Sequence, residues 1–119
     1  MADKMVIFCG SDDPERAFPP FMLGTGAAAY DMEVMMFFTM SGLRIVKKGY
    51  AETITMENCP KTMPEFIEVA KEMGIRMVAC SAAFPMFGIS NDDVIDGVEI
   101  GGVATFITEA SEAKIVLTF

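Results

Sequence analysis

Among its 119 residues the sequence has no histidine, no tryptophan, only three cysteines and only nine lysines and arginines. Without histidine, serine–histidine–aspartate and cysteine–histidine activation of a nucleophile is excluded, and so is any histidine-ligated metal site. Cys9, Cys59 and Cys80 are odd in number, widely spaced and without a C-x-x-C, which indicates neither a disulfide framework nor zinc. Nine cationic residues against seventeen acidic ones leave a net charge of −8, which argues against a nucleic acid partner. The one basic cluster, Arg44, Lys47 and Lys48, is too small to reverse that. It reads as a solvated helix face, with a docking patch for an acidic partner or an anionic persulfide as the alternative.

Long hydrophobic runs are missing as well. The longest, residues 17–30, is interrupted by Pro19, Pro20, Gly24, Thr25 and Gly26, so no membrane span is expected. Residues 1–5 lead directly into the strand-like Val6-Ile7-Phe8-Cys9 with no basic, apolar and small-residue leader pattern, and a cytoplasmic location is expected. Phosphate cradles are absent too: neither G-x-G-x-x-G nor G-x-x-x-x-G-K-[ST] follows a strand. The loop Gly10 to Arg16 carries Asp12, Asp13 and Glu15 where a flavin phosphate would need hydroxyls and free amides, which counts against FMN. No cofactor and no metal are expected.

What is present is a single folding unit, residues 1–119, with 52% apolar residues and a mean hydropathy of +0.39. Short apolar runs alternate with helical patterns, which predicts a three-layer α/β fold: a mostly parallel five-stranded sheet with helices on both faces, in a flavodoxin-like topology. Strands are expected at 4–9, 33–39, 75–80, about 98–100 and 114–119. Gly10 to Pro14 reads as a turn with Asp or Ser available as N-cap and Pro14 close to the first helical position, but Pro19 and Pro20 should kink or restart the helix that follows, so its regular part is expected from about Pro20. Its core stripe is expected at Phe21, Met22, Thr25 and Ala29. Short helices are expected at 43–48 and 91–94. Thr62 and Glu65 have capping-box spacing, Met63, Phe66, Ile67, Ala70 and Met73 share one face, and Gly74 closes that helix. A last helix opens at Gly101-Gly102 and runs to about Ala113. The twelve methionines are read as adaptable core filler.

In open α/β sheets, sites form at the carboxyl ends of strands, where the following helices aim their N–H groups. Cys80 ends the third strand and precedes a helical turn, so its sulfur should be open, feel the positive end of that helix, and ionise more readily than a free thiol. Cys9 holds the equivalent position on the first strand, and Cys59 lies in the loop before Pro60. Both are secondary thiols, and for Cys9 and Cys80 the alternative is a small buried hydrophobe. Gly101 and Gly102 allow backbone to approach an anion, or else allow the last helix to pack tightly.

Two segments carry a family resemblance. Residues 24–43, GTGAAAYDMEVMMFFTMSGL, and residues 78–89, VACSAAFPMFGI, continued by DGVEIGGVA at 96–104, resemble the DsrE/DsrF-like superfamily, and within it the branch often labelled peroxiredoxin family protein. The second segment combines the cysteine, a Met-Phe-Gly turn and a Gly-Val-Glu-Ile-Gly-Gly run, and the likeness spans nearly the whole chain. It implies the three-layer α/β fold, assembly into trimers or hexamers, and sulfur relay through a persulfide on Cys80, with a sulfur donor or acceptor protein as partner. Ser81 and Ala82, with Gly101 and Gly102 as second donors, would hold the persulfide. The methionine-rich insertion common in this branch is mostly missing, and no Thr-x-x-Cys arrangement of a peroxidase is present. A non-catalytic scaffold subunit of a DsrE-like oligomer is the alternative function.

Overall fold

The computed structural model describes residues 2–119. Five strands, β1 (Lys4–Cys9), β2 (Glu33–Phe38), β3 (Arg76–Cys80), β4 (Glu99–Gly101) and β5 (Ile115–Thr118), form one sheet in the order β4-β3-β2-β1-β5. Every pairing is parallel. Three α-helices, α1 (Pro14–Ala29), α2 (Met63–Glu72) and α3 (Val103–Ser111), and several 3-10 turns complete it. The expected α/β architecture is therefore present, although the strand order differs from the 2-1-3-4-5 of flavodoxin-like sheets.

That order follows from the handedness of parallel crossovers. Strands β1 to β4 are laid down in one direction across the sheet, so right-handed connections place α1, α2 and the segment after β3 on a common face. The chain then turns back from β4 to β5, and the same handedness puts α3 on the opposite face. Strand side chains sort accordingly. Ile7, Cys9, Val34, Met36, Phe38, Met77 and Ala79 join the main core with Phe18, Phe21, Met63 and Phe66. Val6, Met35, Phe37, Val78 and Cys80 form a second, smaller core on the α3 face.

Helix α1 begins at Pro14, as the turn chemistry before it allows, and departs from expectation in continuing as regular helix through Pro19 and Pro20. The carbonyls those prolines leave without their helical donors belong to Glu15 and Arg16, both exposed in the first turn, where solvent rather than a dry core faces them. Asp13 caps the helix by accepting from the Glu15 N–H at 3.3 Å. Its buried side is Ala17, Phe18, Pro20, Phe21, Gly24 and Ala27. Of the expected stripe only Phe21 is buried; Met22 and Ala29 are exposed and Thr25 lies between, because Gly24 takes the place facing Ile7 and Val34. Helix α2 carries the expected reciprocal cap, with the Glu65 N–H donating to the Thr62 hydroxyl and the Thr62 N–H to the Glu65 carboxylate at 2.8 Å. Those N–H and hydroxyl contacts hold the Glu65 carboxyl below its usual range. Gly74 follows with φ of +75°, the left-handed residue that stops the helix. The expected short helices are 3-10 turns at Met40–Val46 and Asn91–Asp93.

Candidate functional site at the end of the third strand

A parallel sheet has a crevice where neighbouring strands send their connections to opposite faces. Here that point lies between β3 and β4. The segment after β3 goes to the main-core face, where Ala83, Phe84, Ile89 and Val94 are buried, while the chain after β4 crosses to the other face as α3. The residues at the two carboxyl ends are Cys80 and Gly101, and they are register partners. Cys80 is thus the thiol at the switch point, a position that neither its spacing nor its neighbours in sequence reveal.

The surroundings of Cys80 differ from expectation in two ways. The residue is 3% exposed, not open, and belongs to the small core with Val78 and Phe37. The chain beyond it forms two short 3-10 turns, Ser81–Ala83 and Pro85–Phe87, and no α-helix to present a positive end. Ser81 and Ala82 are exposed at the mouth. The Ser81 hydroxyl donates to the Gly101 carbonyl at 3.1 Å, stitching β3 to β4. Gly101 is required by packing, since a Cβ there would stand 2.8 Å from Val78 Cγ1 and 3.1 Å from Thr105 Oγ1. The Gly102 N–H points to Thr105 Oγ1 at a long 3.5 Å, and a Cβ on Gly102 would meet nothing within 4 Å. The structure therefore brings Cys80, Ser81, Gly101 and Gly102 together at the carboxyl ends of β3 and β4.

Cys9 and Cys59 stand apart from it. Cys9 is 1% exposed on the main-core face, with its thiol directed to the Ile7 carbonyl at 3.8 Å, and burial pushes that thiol far up from its ordinary value. The sheet separates it from Cys80, so the two sulfurs do not face each other. Cys59 is half-buried in a cleft of about 360 Å³ with Phe18, Ile54, Met56 and Pro64.

The basic cluster is not a bare solvated face. Arg44 pairs with Asp12 at 3.3 Å and lies over the Phe87 ring at 5.1 Å, while the Tyr50 hydroxyl donates to the same Asp12 oxygen at 3.2 Å. This ties the loop after β1 to the segments after β2 and β3, bracing the carboxyl edge of the sheet. Gly42, which local sequence marks only as the end of the second strand, packs directly on the Cys9 carbonyl. Sequence reading passed over Phe106, whose ring meets Phe8 edge-on at 5.6 Å and Phe37 at 5.2 Å. The spacing of Phe106 and Ala110 on one helix face was the available signal for that ring.

Comparison with known proteins extends the geometry. An uncharacterized protein of Bacillus subtilis, YrkE, is 26% identical, the match covering 95% of this chain and 93% of that protein. A protein of Allochromatium vinosum named sulfur carrier protein DsrE2 is 28% identical, covering 96% of each. These alignments run to 151 and 153 positions, longer than this chain, so both relatives carry insertions it lacks. Among solved structures, the ychN protein of Escherichia coli superposes with a TM-score of 0.79 over 100% of both chains at 19% identity. A protein of unknown function from Methanobacterium thermoautotrophicum also gives 0.79, over 98% of this chain and 99% of its own, at 16% identity. No helix of the described residues is long and apolar enough to cross a membrane. With the DsrE/DsrF-like family model matching residues 3–119, the chain belongs to that family.

Proposed function

We propose that this protein is a sulfur carrier that holds sulfane sulfur as a persulfide on Cys80 and passes it to a partner thiol. The observation that carries this reading is the placement of Cys80 against Gly101 at the topological switch point, in a family where a relative is named a sulfur carrier. In loading, the Cys80 thiolate attacks the outer sulfur of a donor persulfide. The new S–S bond forms on Cys80, the old one breaks, and its electron pair leaves on the donor thiolate, so no net oxidant is needed. Unloading repeats the exchange with the acceptor thiolate as nucleophile. Ser81, Ala82, Gly101 and Gly102 border the outer sulfur, which a partner reaches once Cys80 is uncovered.

The working form in this reading is a cytoplasmic homo-oligomer, a trimer or hexamer. Ile100 and Val116 are exposed on the edge strands β4 and β5, apolar surface suited to subunit contact. The test is to incubate the protein with a persulfide donor and measure intact mass, with Cys80→Ser beside it. A gain of one sulfur, about 32 Da, on the wild type alone is expected. No gain, or an equal gain on Cys80→Ser, overturns the proposal.

A second reading, a scaffold subunit without chemistry of its own, is favoured by the 3% exposure of Cys80. A Cys80 that stays unalkylated by iodoacetamide in the folded protein over many hours supports it.

A further inference from the structure

Cys80 is 3% exposed, yet carrying sulfur requires a partner to reach it. The small core containing it is floored by β1, β2 and β3, and the helix residues packed against it, Phe106 and Ala110, both come from α3. α3 is weakly held. None of its nine residues is buried, and it hangs between β4 and β5, the two edge strands of the sheet, each paired on one side only. Gly102 precedes it as a natural pivot, with no side chain there to resist rotation.

Apart from Phe106 and Ala110, α3 is fastened by charge. Glu109 receives Lys4 Nζ of β1 at 2.5 Å on one oxygen and the Arg76 guanidinium of β3 on the other. Arg76 in turn grips Glu99 of β4 with two nitrogens, at 2.7 and 3.1 Å. One carboxylate thus pins the helix to the amino ends of two strands, and its side chain is 18% exposed, shielded enough to be only partly screened.

We propose that α3 is a latched cover over Cys80, held shut by the Lys4–Glu109–Arg76 network, and that the thiol becomes reachable when this helix lifts. The inference rests on Cys80 being the working thiol, but its mechanics concern access alone. Local opening at a sheet edge costs less than global unfolding, because it sacrifices the small core and leaves the main one intact.

The experiment reads alkylation of Cys80 by peptide-resolved mass at one protein concentration, in wild type and Glu109→Gln, after sedimentation shows both in the same oligomeric state. Amide exchange is followed in parallel. Glu109→Gln is expected to raise the Cys80 rate on the order of tenfold, about 1.4 kcal/mol in the opening equilibrium. Raising salt from about 0.1 to about 1 M shortens the screening length from about 10 to about 3 Å and should speed the wild type while leaving Glu109→Gln unmoved. In the wild type, Cys80 alkylation should keep pace with α3 amide exchange and run well ahead of β2 amides. Alkylation as fast as a free thiol, or as slow as β2 exchange, overturns the cover. Gated alkylation without sulfur uptake leaves the cover standing and removes the carrier reading; sulfur uptake with ungated alkylation does the reverse.

Discussion

Replacing Gly42 by alanine tests how the carboxyl edge of the sheet is assembled. Gly42 is buried in the 3-10 turn after β2, and its N–H donates to the Thr39 carbonyl at 2.9 Å. The Thr39 N–H donates to the Cys9 carbonyl at 3.1 Å, which brings the turn onto the end of β1. A Cβ at Gly42 would lie 2.1 Å from that carbonyl oxygen, 2.8 Å from its carbon and 3.1 Å from the Ser11 nitrogen. Real Cβ atoms essentially never approach within 3.0 Å, so nearly an ångström must open between two backbones rather than between flexible side chains. Overpacking a fixed site of this kind costs about 3 kcal/mol, roughly 12 °C in Tm for a domain of this size. Gly26 supplies the opposite case: it is exposed within α1, a Cβ there would meet nothing within 4 Å, and alanine should stabilise by about 0.5–1 kcal/mol. Urea denaturation of both variants, read at constant slope, measures each difference. A Gly42→Ala loss below about 0.5 kcal/mol, no larger than an ordinary surface substitution, refutes the packing argument.

Two further outcomes concern the charges and thiols. Thr62 holds Glu65, Ser90 holds Asp93 and Arg76 holds Glu99, and each carboxyl sits below its ordinary value. The stability they contribute is present above the unfolded carboxyl range of about 4 and is lost as pH falls through the depressed values, so the urea midpoint should drop from pH about 7 to pH about 3. A midpoint that holds or rises counts against these contacts. Among the thiols, half-buried Cys59 should alkylate first and Cys9, sealed in the main core, should stay unmodified while the protein is folded. Modification of Cys9 ahead of Cys59 contradicts the burial described.

Local signals carried much of the fold. The Thr62 and Glu65 cap, Gly74 and the apolar run from Val34 to Phe38 each point to one structure because backbone and side-chain demands agree there. The unbroken course of α1 through Pro19 and Pro20 did not follow from sequence, because two prolines break a helix only where their lost partners are dry, and solvent exposure is a tertiary property. Met22 facing outward is a result of the same kind, decided by the close approach of Gly24 to Ile7. At the site, the sequence singled out Cys80, Gly101 and Gly102, but not the depth of the sulfur or the brevity of the turn after it. Burial of Cys80 depends on α3, whose attachment runs from Glu109 to Lys4 and Arg76, residues 105 and 33 positions away in the chain.

The most direct test of the central claim is the mass of the protein after reaction with a persulfide donor, located by peptide mapping. One sulfur, about 32 Da, resident on the peptide containing Cys80, released by an acceptor thiol and absent from Cys80→Ser, is the result the account predicts. Sulfur found only on Cys59, or no sulfur on a folded protein whose Cys80 is open to alkylation, contradicts it.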